Sequence, residues 1–279
     1  MPRDDMETNA SGRIGKSIPI PTSLGGYDRK TVETVCRAIE RRELMLAFQP
    51  VVQAFENGRI AFYEGLARVM DETGRVIPAR DFIEPVEPTE AGRVLDCLSL
   101  EMGLVALAEA PDLRLSINMS ARSIGYPDWV ATLKEGLERD TTAAERLILE
   151  ITETSAMVMP DLVSTFIKDM QAKGIAFALD DFGSGQTSMS YLREFRFDIL
   201  KIDGKFITGI EHDADMQVLT EAMIAIARHF DMYTVAENVE TASDAAWLTK
   251  AGIDCMQGYA FGAPSLVPPW REGGEKRLA

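Results

Sequence analysis

The sequence has few of the residues on which several common kinds of site depend. It contains three cysteines, none in a CxxC or CxxH pair, and only two histidines among 279 residues. Structural zinc sites and most Ser-His-Asp catalytic schemes need more of these side chains than the chain supplies. Three widely separated cysteines predict free thiols in a reducing compartment, and we expect a cytoplasmic protein.

Positive charge and long apolar runs are scarce as well. Lysine and arginine number 29 against 44 aspartates and glutamates, a formal net charge of −15. Because phosphate contacts need clustered cations, this balance argues against DNA, RNA or an anionic membrane as a partner, although a small phosphate-bearing ligand stays open. No uncharged apolar run approaches the about 18 residues of a membrane span, and the polar start lacks the apolar core of a secretory signal.

The chain does have a long central region in which short apolar runs alternate with amphipathic stretches. Residues 1–30 are polar and rich in Gly and Pro, which predicts a tail or loosely docked arm. Residues 267–279 break the pattern with paired prolines and paired glycines, which predicts a C-terminal tail. We therefore expect one folded domain over residues 31–266, and an apolar content of 46% is ample for its core.

Eight apolar runs predict buried strands, and helical periodicity lies between most of them. The runs are residues 44–52, 59–68, 114–120, 146–153, 174–181, 197–204, 232–240 and 253–261. This alternation predicts an α/β fold, a TIM-like (β/α)8 barrel. A short Glu-Asn-Gly turn joins the first two runs as a hairpin, so we expect a modified barrel with one antiparallel strand. A doubly wound open sheet is the alternative, although the Gly-rich phosphate loop usual in such folds is absent.

Polar side chains lie at the ends of most of these runs. They are Glu64, Asn118, Glu150, Glu153, Asp180, Asp181, Lys201, Glu237 and Gln257. The carboxyl ends of parallel strands meet on one face of a barrel, where unpaired carboxylates would repel one another. Bound cations remove that conflict, and oxygen ligands with little His and no Cys favour Mg²⁺ or Mn²⁺.

The adjacent pair Asp180 and Asp181 refines this hypothesis. One carboxylate of such a pair can bridge two ions while the other serves the second ion, which is the arrangement of two-metal phosphodiester hydrolysis. A single acidic residue after a strand is more often a helix N-cap or a solvated charge. The number of such residues at corresponding strand ends favours a shared site.

Longer motifs link these residues to a known family. The segments EGLAR, INMSARS, LEITET, VAENVET and MQGYAFGAP accompany the most specific one, DDFGSGQTSMSYLREFRFDILKID. From about Leu44 to Pro264 the chain resembles the EAL-domain family of cyclic di-GMP-specific phosphodiesterases. The resemblance implies a modified barrel, two Mg²⁺ or Mn²⁺ ions, a homodimer, and hydrolysis of cyclic di-GMP to the linear dinucleotide pGpG.

The resemblance also implies the ligands of the two ions. It assigns one metal to Glu64, Asn118, Glu150 and Asp180. It assigns the second metal to Asp180 and Asp181 together with water. All of these side chains are present.

The remaining roles concern the attacking water and the substrate. The resemblance implies that Glu237 is a metal-site carboxylate or the general base, and that Lys201 lies beside the water and the developing phosphorane charge. It implies that Gln257 positions this water. Arg68 is expected to contact a substrate phosphate, and Gln49 is expected to contact the substrate.

Besides the small residues Gly65 and Ala67, which replace Ala and Leu in EGLAR, three positions depart from the family pattern. Glu153 is implied to hold the loop through DFGSGQTS that links the metal site to the dimer interface, and in this loop Gln186 replaces an aromatic residue. Asn238 stands where the family has Gly; if that position needs a positive φ, Asn is the best tolerated substitute. Ala263 replaces an Arg near the site. None of these changes removes a metal ligand, so an active enzyme is favoured.

Two other functions remain open at this point. A catalytically silent receptor would bind the same nucleotide and signal without turnover. A different metal-dependent barrel enzyme could use Lys201 as a base that removes a proton next to a carboxylate. Asp180 and Asp181, together with Arg68, argue against this last function.

Overall fold

Within residues 18–21, 24–55, 58–185, 192–268 and 270, which the computed structural model describes, the chain forms nine strands in one sheet. The strands are β1 Leu44–Gln53, β2 Ile60–Met70, β3 Val76–Pro78, β4 Leu115–Asn118, β5 Leu147–Thr152, β6 Ala176–Phe182, β7 Ile199–Ile202, β8 Tyr233–Ala236 and β9 Cys255–Gln257. The barrel strands run in the order β1-β9-β8-β7-β6-β5-β4-β2, and β1 pairs with β2 to close the ring. The closure excludes the doubly wound open sheet.

Strand β1 is the antiparallel member of the predicted modified barrel. It runs antiparallel to both of its neighbours, β2 and β9, whereas the other neighbouring pairs of the ring are parallel. Its register with β2 extends from Leu44 opposite Val69 to Val52 opposite Ile60. The expected hairpin is therefore confirmed. The extra strand β3 pairs antiparallel with the end of β2 and was not predicted.

Helices join the parallel strands, as the periodicity predicts. In the described part of the chain they are α1 Arg29–Glu40, α2 Ile83–Val86, α3 Glu90–Glu109, α4 Pro127–Arg139, α5 Glu153–Ala156, α6 Pro160–Gln171, α7 Leu192–Phe195, α8 Ala214–His229 and α9 Ala242–Ala251. Local sequence sets several starts: the side chains of Asp28, Asp213 and Thr241 accept hydrogen bonds from backbone N–H groups in the first turns of α1, α8 and α9. No helix in this part of the chain is both long and apolar enough to cross a bilayer.

The outer face of the β1–β2 hairpin is covered by a residue that the sequence placed in the tail. The Trp270 ring meets the Phe48 ring edge to face at 4.7 Å between centroids, and the Tyr63 ring at 5.7 Å. Ser265 forms an isolated bridge with Phe48. Residues 271–279 of the predicted tail and 1–17 of the predicted arm lie outside the described residues.

The inside of the barrel has two layers of side chains. The lower layer is apolar and takes one residue from each of seven strands: Val51, Phe62, Ile148, Ala178, Ile199, Val235 and Cys255. Ser116 of β4, which lies opposite Ile148, holds the corresponding eighth position. Because side chains alternate along a strand, the positions two residues nearer the carboxyl end of the barrel face the same interior. Those positions are polar on all eight strands, and they form the candidate site.

Two further cores lie outside the barrel. The larger packs the helices onto the outer faces of the strands. The second unites α1, the end of β2, β3, α2 and the first half of α3 around residues that include Val35, Ile39, Val69 and Phe82.

Candidate functional site

Lys201 of β7 is the centre of the polar layer. Its Nζ lies 2.7 Å from Glu150 Oε2, 2.9 Å from Asp180 Oδ1, 2.9 Å from Glu237 Oε1 and 3.4 Å from Glu64 Oε2. The Lys201 and Glu150 side chains are fully buried. The structure thus brings together, from five different strand ends, five of the residues that the sequence singled out.

Three amide side chains complete the layer. Asn118 Nδ2 donates to Glu64 Oε1 at 2.9 Å, and Gln257 Nε2 donates to Glu64 Oε2 at 2.6 Å. Gln257 Nε2 also lies 3.2 Å from Gln49 Oε1, and Gln49 Nε2 donates to the carbonyl of Gly262 at 3.1 Å. Both oxygens of Glu64 are therefore fixed, and the antiparallel strand contributes Gln49 to the same layer.

An irregularity in β6 places two adjacent carboxylates at the mouth of the barrel. The β6–β7 register shifts between Leu179 and Phe182, and Asp181 has a φ of +56°. In a regular strand successive side chains point to opposite faces. Here ligand oxygens of Asp180, Asp181 and Glu237 all lie within 4.8 Å of one another. The three carboxylates could hold one cation.

The site has more negative than positive charge, and the pKa values follow from this. Burial and the charge of Glu64 raise the pKa of Glu150 to about 8. Burial and the charge of Asp180 raise the pKa of Asp181 to about 6. Although burial opposes its charge, the surrounding carboxylates raise the pKa of Lys201 well above its ordinary value. One ammonium group therefore serves several carboxylates, and further positive charge would stabilise them.

The oxygen atoms of the polar layer fit divalent cations. Glu150 Oε1 and Gln257 Oε1 are buried without a hydrogen-bond partner among the described residues. Burial raises the pKa of Glu237 well above its ordinary value, more than Lys201 lowers it. Carboxylate and amide oxygens suit hard ions such as Mg²⁺ and Mn²⁺. The residues present therefore fit the two Mg²⁺ or Mn²⁺ ions that the family resemblance implies.

Glu153, the first residue of α5, contacts the loop after β6. Its Oε2 accepts the N–H of Gly183 at 2.7 Å and the N–H of Gly185 at 3.4 Å. A Cβ at position 185 would lie 2.8 Å from Glu153 Oε1, so the loop fits closely around this carboxylate. Gln186, the departure in the same loop, lies outside the described residues.

Arg68 lies near the layer on β2 and is half-buried, with Nη1 donating to the carbonyl of Ala67 at 2.9 Å. Burial lowers its pKa and the nearby Glu64 raises it, while the charges of Arg80 and Tyr259 also act on it. The sequence analysis did not identify Arg80, which follows the short strand β3, or Tyr259 as neighbours of Arg68. Only the position of Tyr259, two residues after Gln257, could have indicated its location.

The two other departures have different surroundings. Asn238, directly after Glu237, has a φ of +53°, so the condition under which Asn is the best tolerated substitute for Gly is met. A Cβ at Gly204 would lie 2.1 Å from Asn238 Nδ2 and 2.6 Å from its Cβ. Gly204 therefore provides the space that the Asn238 side chain occupies. Ala263 is exposed.

Comparison with known proteins agrees with the family resemblance that the motifs indicate. The sequence model of the family described as EAL domain matches residues 32–264. The bifunctional diguanylate cyclase/cyclic di-GMP phosphodiesterase MucR of Pseudomonas aeruginosa is 33% identical over 233 residues, which cover 82% of this chain and 34% of that protein. The cyclic di-GMP phosphodiesterase PdeB of Shewanella oneidensis is 30% identical over 88% of this chain and 29% of that protein. The chain thus spans about a third of the length of these curated relatives.

Solved structures match over most of the chain. The PaMucR phosphodiesterase in complex with c-di-GMP has a TM-score of 0.74 and 30% identity, covering 88% of this chain and 100% of that one. The EAL domain protein from Listeria monocytogenes EGD-e has a TM-score of 0.74 and 25% identity, covering 86% and 94% of the two chains.

Proposed function

Since this chain belongs to the EAL-domain family, we propose that it hydrolyses one phosphodiester bond of cyclic di-GMP to give the linear dinucleotide pGpG. The relatives named for this activity support the proposal. The observation that carries it is the polar layer itself. Several carboxylates around Lys201, two of them adjacent in sequence, leave buried oxygens without partners at the mouth of a barrel.

The proposed cation ligands are all oxygen donors of the polar layer. They are Glu64, Asn118, Glu150, Asp180 and Asp181. Two Mg²⁺ or Mn²⁺ ions, when bound, would acidify a water molecule and neutralise charge on the phosphodiester. Gln257, whose amide nitrogen is fixed by Glu64 and Gln49, would hold that water in place.

Side chains of this chain would bind the substrate phosphate and accept the proton of the attacking water. The Arg68 guanidinium would bind a phosphate oxygen, since Arg forms strong charge-assisted hydrogen bonds with phosphate. As the water oxygen bonds to phosphorus and the bond to the 3′ oxygen breaks, a Glu237 carboxylate oxygen would accept the water's proton. Glu237 Oε1 lies 2.9 Å from Lys201 Nζ, which favours the ionised carboxylate that a general base needs. Lys201 Nζ would stabilise the added negative charge. The departing 3′ oxygen would take up a proton from solvent water, and Glu237 would release the proton it accepted to the solvent.

A turnover assay tests the proposal. The purified chain is incubated with cyclic di-GMP, with and without Mn²⁺ or Mg²⁺, and the products are separated by chromatography. We expect cation-dependent release of the linear dinucleotide. We expect Glu64→Ala to reduce turnover by about 100-fold or more, since even residues behind the ligands contribute about 10–100-fold at metal sites. Glu138→Ala is the matched control, because the Glu138 side chain is 67% exposed and forms an ion pair with Lys134 in its own helix.

Each other result contradicts the proposal. Saturable binding of cyclic di-GMP without product would support the catalytically silent receptor instead. Absence of both binding and product would revive the metal-dependent barrel enzyme with a different substrate. Equal activity of Glu64→Ala and the wild type would contradict the assigned site.

We also propose that the chain forms a homodimer, as the family resemblance implies, and its cytoplasmic location stays a prediction. Apolar side chains are exposed directly after α5, on the segment that follows Glu153: Val158 at 43%, Met159 at 37% and Leu162 at 41%. Such a cluster is typical of an interaction surface. Light scattering should give the dimer mass for the wild type and the monomer mass for Leu162→Glu; a monomeric wild type would contradict the proposal.

A further inference from the structure

We propose that Glu87 and Asp96, which lie outside the barrel, are positioning residues that fix the cation ligand Asn118 through the turn that follows it. The inference rests on the proposed function, because Asn118 is a ligand only if that function holds. Asp96 belongs to α3, and Glu87 directly follows α2.

Asp96 holds the backbone two residues beyond Asn118. Its Oδ2 accepts the N–H of Ser120 at 2.9 Å and the hydroxyl of Ser123 at 2.5 Å. Asp96 is 8% exposed and Ser123 is fully buried. Ser120 is the N-cap of the short 3-10 helix Ala121–Ser123 and Ser123 is its last residue, so a single carboxylate oxygen holds both ends of this turn.

Glu87 joins the same turn to the next strand end. Its Oε1 accepts the hydroxyl of Ser120 at 2.7 Å and the hydroxyl of Ser155 at 3.0 Å. Ser155 Oγ in turn accepts the N–H of Ala121 at 2.9 Å. Ser155 lies in α5, whose first residue is Glu153, and Glu153 holds the loop after β6. The network therefore connects the ends of the three strands that carry Asn118, Glu150 and Asp180.

The position of Asn118 depends on this turn for a geometric reason. Asn118 is the last residue of β4, and the sheet fixes it on one side through its pairing with Glu150. The N–H of Met119 still donates to the carbonyl of Glu150 at 2.9 Å. Beyond that point the backbone leaves the sheet, and the next contacts are those made by Asp96 and Glu87. Without them the sheet would support this segment only as far as Met119.

The test measures binding of Mn²⁺ to the full chain without nucleotide, by electron paramagnetic resonance of the free ion. We expect Asp96→Ala and Glu87→Ala to bind Mn²⁺ about 10-fold more weakly, the lower end of the range for residues that support metal ligands. Asp96→Asn should restore the affinity, because an amide oxygen can accept both hydrogen bonds. Asn also resembles the neutral carboxyl group, and burial raises the pKa of Asp96 to about 7.

Asp254→Ala is the matched control. Asp254 Oδ2 accepts the N–H of Thr234 at 2.8 Å and the Thr234 hydroxyl at 2.7 Å, which is the same pattern at the opposite end of the barrel strands. We expect this variant to melt at a lower temperature than the wild type while binding Mn²⁺ with unchanged affinity. If Asp96→Ala does not fold, two milder variants replace it. Ser123→Ala removes the hydrogen bond to Asp96, and Ser155→Ala removes those to Glu87 and Ala121. Each should weaken Mn²⁺ binding.

The outcomes separate this inference from the proposed function. Wild-type affinity in Asp96→Ala, an equal loss in Asp254→Ala, or no restoration by Asp96→Asn would overturn the positioning role. A wild type that binds Mn²⁺ without hydrolysing cyclic di-GMP would contradict the proposed function alone, and the variants would still decide the positioning role. A wild type that binds no Mn²⁺ would overturn both.

Discussion

Lys201 Nζ lies 2.7 Å from Glu150 Oε2, and both side chains are sealed inside the barrel. Neither charge can reach water, so each depends on the other and on the neighbouring carboxylates. The layer below them is apolar at seven of its eight positions and carries no charged side chain. A substitution at Lys201 or Glu150 is therefore expected to change the stability of the fold as well as the site.

Lys201→Met should destabilise the chain strongly. Removing one partner of a buried ion pair leaves the other charge uncompensated, at a cost of about 3–5 kcal/mol in the free energy of unfolding. Burial and the charge of Glu64 raise the pKa of Glu150, and Lys201 lowers it, so loss of Lys201 should raise this pKa further. Urea unfolding of the wild type and the variant at pH 8 measures the loss. A loss below about 1 kcal/mol at pH 8 would contradict the described role of the pair.

Mn²⁺ should stabilise the wild type against heat, since a ligand that binds only the folded state adds about 2.7 kcal/mol at 100 times its dissociation constant. Asp181→Asn should reduce the shift in melting temperature, because Asp181 supplies one of the three clustered carboxylates. Asp161→Asn, an exposed residue of α6, is the control and should retain the full shift. Equal shifts in all three proteins would remove Asp181 from the cation site.

Asp96 should make the stability depend on pH. Burial raises its folded-state pKa to about 7, whereas an unfolded Asp titrates near an ordinary value of about 4. The stabilising contribution is therefore complete below about pH 4 and is lost as the pH rises through about 7, at up to about 1.4 kcal/mol per pH unit. Unfolding of the wild type and Asp96→Asn from pH 4 to 8 should give diverging curves, with the wild type losing more stability. Parallel curves would contradict the raised pKa.

Gly204 and Asn238 should behave as a coupled pair. A Cβ at position 204 would lie 2.6 Å from Asn238 Cβ, which no change of rotamer can move. Gly204→Ala should therefore cost about 1–3 kcal/mol as an overpacking substitution. In the Asn238→Gly background the same change should cost much less, and the double-mutant cycle measures the difference. Additive effects would show that the backbone relaxes around the added methyl group.

Periodicity and residue type predicted much of this molecule. Eight apolar runs locate the eight barrel strands, and the short turn before Arg59 identifies the antiparallel one. Polar residues at successive strand ends also indicated the cluster around Lys201, because the barrel brings those ends together.

The rest depends on contacts that no local pattern encodes. Strand β3 has three residues, too few to show alternation. Nothing in the sequence around Trp270 indicates that its ring packs against Phe48, which is more than 200 residues away. In the sequence Asp96 is one polar residue within a helical stretch. Its hydrogen bonds to Ser120 and Ser123 form only when α3 packs against the turn after β4. The left-handed backbone of Asp181 arises from the register shift between β6 and β7.

The reversal of β1 also changes the end at which the chain enters the barrel. In an all-parallel barrel the first strand starts at the end opposite the site. Here β1 starts at Leu44, opposite Val69 and beyond Glu64 on β2, so it starts at the end that carries the polar layer. Helix α1 and the second core therefore stand beside the mouth of the barrel. Any movement transmitted through the amino-terminal helix reaches the rim of the site directly, without crossing the barrel.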